Sequence, residues 1–219
     1  MDREICDSGD EYTLFPDADD VFYSDFEKEN MLPFGILKVD INGVVHNVLI
    51  ASPIGDEQGL IGEKEIGERC GGEWLTYSKK NGKWAIDCSP DELLPFDYKK
   101  EEILDSYNQR RKMFYQDGTF PSKPTAEQRT VIFKRGDDES TNFHNWYISV
   151  QSYISNRLED IPGHEEARWK RVTLVGDDGN DYIVLGSVEG YVYSAPFTAQ
   201  ILFFYNPAAE RVLVIFNYT

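Results

Sequence analysis

The chain has 219 residues, 41 % hydrophobic and 14 % aromatic, with 39 acidic against 22 basic side chains and a formal net charge of −17. That apolar content excludes a globally disordered chain and suffices for a core without disulfides or metal. The charge disfavours direct contact with nucleic-acid phosphates or anionic lipid and favours a basic protein partner, although acidity also serves solubility alone.

The opening Met1-Asp2-Arg3-Glu4-Ile5-Cys6-Asp7 carries acids where a signal peptide carries positive charge. No stretch nears the roughly 20 apolar residues needed to span a bilayer. Cys6, Cys70 and Cys88 are an odd set without framework spacing, which argues against a secreted disulfide scaffold. The expected compartment is the cytoplasm, where the Asn217-Tyr218-Thr219 sequon carries no meaning.

Residues 1–30 form an acidic segment in which Tyr12, Phe15, Phe22, Tyr23 and Phe26 interleave with Asp7, Asp10, Glu11, Asp17, Asp19, Asp20, Asp25, Glu27 and Glu29. A purely charged tail is a solvated arm. Aromatic anchors let the segment fold onto the protein's own body, which is the expectation, or onto a partner. Asp17, Asp19, Asp20, Phe22, Tyr23 and Asp25 are its candidate partner-binding residues.

Apolar runs at Phe34 to Ile41 and Val44 to Ala51, joined by Asn42-Gly43, predict a hairpin. Trp74 to Tyr77 and Lys83 to Ile86, around Lys80-Asn81-Gly82, predict a second. Between them, Gly55 to Gly72 reads as a glycine-rich loop with a short helical turn at Glu63 to Arg69. Ile103, Leu104, Tyr107, Arg111, Phe114 and Tyr115 recur at helical spacing in the second half of Asp91 to Tyr115, and Asp117-Gly118 stops that helix. Thr130 to Lys134 reads as a strand. A helix capped at Ser140 or Thr141 is predicted through Phe143, Tyr147, Val150, Ile154 and Leu158, ending near Pro162-Gly163. Trp169 to Val175 and Tyr182 to Leu185 are strands flanking the turn at Gly176 to Asn180, and Tyr191 to Tyr193 is a further short strand. Ala199 to Tyr205 and Arg211 to Asn217 form a final pair, whose near-continuous apolar runs suit the centre of a sheet.

The fold class read from this order is α+β: mostly antiparallel sheet, made of hairpins and a C-terminal meander, with two main helices packed on it. Its organisation is the segment 1–30 followed by one domain over 31–219, or by two subdomains meeting near 121–124.

Motifs for chemistry are missing. His46, His144 and His164 do not cluster, Cys70 and Cys88 lack zinc-site spacing, and a strand-connecting turn explains the acids at Asp177 to Asp181 better than a calcium loop does. No phosphate-binding glycine motif and no nucleophile elbow occur. Cys70, between Glu68 and Glu73, is expected to have a raised thiol pKa. No catalytic residue, metal or cofactor is implied. Trp74 and Trp84, with Trp146, Trp169 and the tyrosines, either line a recognition face or belong to the core, where Trp74 and Trp84 would be a cross-strand pair. The functional expectation is a protein-binding module, most concretely a bacterial immunity-type inhibitor occluding a basic, nuclease-like toxin. The alternatives are a carboxylate hydrolase for a small substrate and a self-assembling structural or adaptor subunit.

Overall fold

The computed structural model describes residues 3–55, 69–93, 97–118, 129–136, 145–160, 170–196 and 199–217. Strands β1 (Arg3–Ile5) and β2 (Tyr12–Leu14) and short helices α1 (Ala18–Val21) and α2 (Asp25–Asn30) open the chain. Two hairpins follow, β3 (Met31–Ile41) with β4 (Val44–Pro53) and β5 (Trp74–Lys80) with β6 (Lys83–Ile86). Then come α3 (Asp97–Asp117), β7 (Phe133–Arg135), α4 (Asn145–Val150), β8 (Ser155–Asp160) and β9 (Lys170–Val175). The chain ends with β10 (Ile183–Glu189), α5 (Gly190–Tyr193), β11 (Gln200–Asn206) and β12 (Arg211–Asn217).

A seven-stranded sheet runs β1-β7-β10-β11-β12-β5-β6, beside a three-stranded sheet β2-β3-β4 and a two-stranded sheet β8-β9. Every ladder is antiparallel. The protein is therefore α+β and mostly antiparallel sheet.

The hairpins form where Asn-Gly demanded them. Asn42 and Gly43 have φ of 54° and 81°, and Asn81 and Gly82 have 52° and 83°. Two successive left-handed residues match the right-handed twist of the strands they join. The apolar runs of β11 and β12 are long because both faces of the central strands are covered. Ile201, Phe203, Tyr205, Val212, Val214 and Phe216 enter one core cluster, while Leu202, Phe204, Leu213 and Ile215 enter a second on the other face. The first lies between this sheet and the three-stranded sheet, and the second is closed by Trp146, Tyr147 and Val150 with Val172 and Leu174. Tyr77 stitches the two larger sheets together. Its hydroxyl donates to Leu49 O at 2.7 Å and accepts from Ala51 N at 3.1 Å, so two backbone groups of β4 are satisfied.

A bulge in β10 depends on Gly186, whose φ is 139°. A Cβ there would lie 2.1 Å from Lys134 O, so only glycine lets β10 pair with β7.

Three readings of the sequence are corrected. The helix over Phe143 to Leu158 is helical only over Asn145–Val150, and Ser155–Asp160 is strand β8. Asn156 ends it: its Nδ2 donates to Gln151 O at 3.2 Å and Ile154 O at 3.0 Å, and its Oδ1 accepts from the Tyr147 hydroxyl at 2.8 Å. Ile154 joins the second core cluster, whereas Leu158, within β8, is exposed, so their four-residue spacing does not mark one buried face. Only α3, with 21 residues, is therefore a long helix among the described residues. The strands expected to flank the turn at 176–180 are present as β9 and β10; β9 pairs with β8, and a single bridge joins Val175 to Asp181. Gly190–Tyr193 is a helical turn, not a strand. Finally, Trp74 and Trp84 are not a cross-strand pair. The two-residue turn sets Trp84 opposite Lys79, whereas Trp74 lies opposite Ile215 and enters the other core cluster. The expected helical turn at Glu63, the boundary at 121–124 and the caps Ser140 and Thr141 lie outside the described residues.

Candidate functional site

The acidic segment is laid onto the body by its aromatics. Tyr12, Phe15 and Phe22 are almost wholly buried, and Phe26 packs partly against the same cluster. Tyr12 stacks on Phe133 with ring centroids 5.4 Å apart, and Phe15 meets Tyr107 and Tyr193 edge-on at 5.4 and 5.8 Å. Phe15 holds a left-handed φ of 51°. A β-carbon makes that conformation costly, by about 1–2 kcal/mol, so packing must impose it. Hydrogen bonds from Phe15 N to Phe34 O (2.9 Å) and from the Tyr115 hydroxyl to Phe15 O (2.7 Å) fix it.

Beyond Phe15 the chain turns out along the edge of β6. Phe22 bridges Trp84, and Tyr23 N donates to Trp84 O at 2.9 Å, so the segment shields an otherwise open sheet edge. Glu27 is the hidden clamp. It is 4 % exposed; one carboxylate oxygen accepts from Ser24 N (2.9 Å) and Ser24 Oγ (2.6 Å), and the other accepts from Ile86 N at 3.2 Å. The Ser24-x-x-Glu27 capping box thus reaches past its own helix and fastens α2 to β6.

Five other carboxylates of the segment face outward. Asp17, Asp19, Asp20, Asp25 and Glu29 are exposed, with the side chains of Asp19 and Asp25 at 78 % and 87 %. Asp17 caps α1 by accepting from Asp19 N, and it also accepts from Arg111 Nη2; these two bonds hold its carboxyl below the usual range. Lys28 spans Asp19 (2.6 Å) and Asp25 (3.0 Å), and these carboxylates raise its pKa. Lys83 Nζ donates to the Asp19 carbonyl at 2.6 Å, which pins the backbone of α1. Tyr23, 40 % exposed, lies beneath Lys80, whose Nζ is 4.4 Å from the ring centroid. Of the residues expected to meet a partner, the structure brings Asp17, Asp19, Asp20, Tyr23 and Asp25 onto one exterior strip. Phe22, Trp74 and Trp84 are core residues, at 1 %, 1 % and 5 % exposure. Glu27 and Lys28 complete the strip's construction and were missed, although the Ser-x-x-Glu signature was legible.

A second polar constellation lies on the opposite face of the central sheet. Arg211 donates from Nε to Asp87 at 3.1 Å and from Nη1 to Asp177 at 2.7 Å. Asp87 also accepts from Thr76 Oγ1 at 2.8 Å and from Ser78 Oγ, and Asp177 also pairs with Arg69. Arg69 and Arg211 hold the Asp177 carboxyl below its usual range, the Arg69 bond being the larger influence, while burial pushes the Tyr182 hydroxyl up to about 12. A general acid needs the opposite, a carboxyl raised toward neutrality. Asp178 likewise spends its acceptors on Asn180 and Asn206. This network is a tie between β5, β6, β12 and the 176–180 turn. Among the described residues, no group of three or more His, Cys, Asp or Glu side chains is placed to hold a metal ion.

Cys70 is buried, and its thiol pKa is lowered rather than raised, because the Cys88 thiol acts on it directly. The sequence neighbour Glu73 bonds Ser149 instead.

Comparison with protein-family models, with curated proteins and with solved structures finds no match. The chemistry of these faces is what bears on function.

Proposed function

We propose that this chain is a protein-binding module that presents the strip of α1 and α2 to a basic surface of a partner protein. The observation that carries the reading is the division of labour in residues 1–30. This segment holds eleven acidic side chains against Arg3 and Lys28. Its aromatics Tyr12, Phe15 and Phe22 are buried, and Asp17, Asp19, Asp20, Asp25 and Glu29 are left outside on a backbone fixed by Glu27, Lys83 and Tyr115. A charged surface held in place before contact avoids the ordering cost that a loose acidic tail incurs on binding. Its field speeds capture of a cationic partner and rejects acidic ones. Tyr23 adds an exposed aromatic of the kind that anchors interfaces.

An inhibitor that occludes a basic toxin is the most specific form of this reading. The test uses the full chain with Asp19, Asp20 and Asp25 changed together to Lys, beside a control in which the exposed acids Glu101, Glu102 and Asp105 of α3 are reversed. Affinity capture from lysate of the source organism is read by mass spectrometry at low and moderate salt. The wild type and the α3 control should retain one basic protein in stoichiometric amount, lost as salt rises, and the α1–α2 variant should retain none. Equal capture by all three would overturn the assignment of this strip.

A further inference from the structure

The β5–β6 hairpin brings two distant cysteines to one point. Tyr77 lies opposite Ile86, and the pairing continues toward the open end of the hairpin, where Asp87 N donates to Thr76 O at 3.0 Å. Beyond Asp87 the edge of β5 changes partner: Cys70 takes the ladder position opposite Leu75, with Thr76 N donating to Arg69 O at 2.8 Å. β12 occupies the other side of β5, so the chain segments at Arg69 and Asp87 meet on Thr76 along one edge, each followed by a cysteine. Cys70 is 1 % exposed, and Cys88 is half-buried against the same core cluster. The Cys70 sulfur lies 3.7 Å from Gly71 O and 3.9 Å from Glu92 O.

We propose that Cys70 and Cys88 are an oxidisable dithiol, closed by a small peroxide into an intramolecular disulfide that ties the start of β5 to the end of β6. The two thiols act on each other directly, Cys88 lowering the pKa of Cys70 and Cys70 raising that of Cys88. Cys70 attacks the oxidant and Cys88 resolves the product. In the first step the Cys70 sulfur attacks hydrogen peroxide. An S–O bond forms, the O–O bond breaks, and the departing hydroxide takes up the thiol proton as water. In the second step the Cys88 sulfur attacks the Cys70 sulfenic acid, the S–S bond forms as the S–O bond breaks, and a second water leaves. Two thiols lose two electrons and two hydrogens, and one peroxide becomes two waters. Burial of Cys70 restricts the oxidant to one of peroxide's size, arriving past the half-buried Cys88. Cys6 has no part in this. It follows β1 at the far edge of the seven-stranded sheet, and burial followed by Glu4 and Asp7 raises its thiol.

The test is a hydrogen peroxide titration of the full folded chain, followed by acid quench, thiol counting after denaturation and peptide mapping without reductant. Trypsin separates the peptide beginning at Cys70 from the one beginning at Trp84, so a cross-link between them is unambiguous. The expected result is a fall from three thiols to one, a Cys70–Cys88 cross-linked peptide two hydrogens lighter than its parts, and full reversal by dithiothreitol. Cys6→Ser should leave the cross-link intact, and Cys88→Ser should convert Cys70 to oxygen adducts instead. A cross-link containing Cys6 would overturn the proposal. So would oxygen adducts on wild-type Cys70 without a cross-link, or two thiols that resist peroxide until the protein is unfolded.

Discussion

Replacing Glu27 by Gln tests how the acidic strip is built, because it alters one atom of a buried clamp. One carboxylate oxygen accepts from Ser24 N and Ser24 Oγ and the other from Ile86 N. A carboxylate accepts at both ends, but an amide has one accepting oxygen and one donating nitrogen. Whichever way the substituted amide turns, its N–H2 must face a backbone N–H at a site that is 4 % exposed. A buried donor left without an acceptor costs about 1–3 kcal/mol, and loss of the cap adds to that when the Ser24 end is the one sacrificed. We therefore expect Glu27→Gln to cost about 2 kcal/mol, and Glu27→Ala about 3 kcal/mol because both ends are lost. For a chain of this size, 2 kcal/mol corresponds to a fall in thermal midpoint of roughly 4–8 °C. Urea unfolding followed by tryptophan fluorescence gives the free energy, and limited proteolysis reports whether cleavage moves into residues 1–30. A Gln variant within about 0.5 kcal/mol of the wild type, the range of an ordinary surface change, would refute the clamp.

Tyr77→Phe removes the hydroxyl that satisfies Leu49 O and Ala51 N, and should cost about 2 kcal/mol by urea unfolding without loss of secondary structure in far-ultraviolet circular dichroism. Gly186→Ala puts a Cβ against Lys134 O at a φ of 139°, and should lower stability by about 3 kcal/mol and weaken amide-exchange protection in β7 and β10. Asp177 has a folded-state pKa below its unfolded value of about 3.9. Its contribution is therefore present above that value and lost as pH falls through the folded pKa. Asp177→Asn should be less stable than the wild type at pH 7, and the gap should close at acid pH. A gap that stays constant from neutral to strongly acid pH would show that the Arg69 and Arg211 pairs add nothing.

Where local chemistry decides an element, the sequence revealed it. Asn42-Gly43 and Asn81-Gly82 dictate hairpin turns, and the apolar faces of β11 and β12 declare a central position because both sides are buried. Apolar spacing misled where it was coincidental: Ile154 is core but Leu158 is exposed on β8, and the Asn156 amide bonds the carbonyls of Gln151 and Ile154. The tryptophans failed for another reason. Parity was readable, since the Asn81-Gly82 turn pairs Lys79 with Trp84 and leaves Trp74 an odd number of residues from Lys79. The candidate site divides in the same way. Exposure of Asp19, Asp20 and Asp25 follows from their charge, whereas burial of Phe22, Glu27, Trp74 and Trp84 depends on which element lands on the β6 edge. Nothing local in the sequence announces that landing, nor the packing of Cys70 and Cys88 against one core cluster.

The most direct test of the central claim is the salt dependence of partner capture by the wild type and by the Asp19, Asp20 and Asp25 triple reversal. Exposed charges interact over about 10 Å at 0.1 M salt and about 3 Å at 1 M. Steered capture by the acidic strip predicts a basic partner bound at low salt, released as salt rises, and lost from the reversed variant while its unfolding midpoint stays near that of the wild type. Capture that ignores both salt and charge reversal would contradict the account and move the binding surface elsewhere on the molecule.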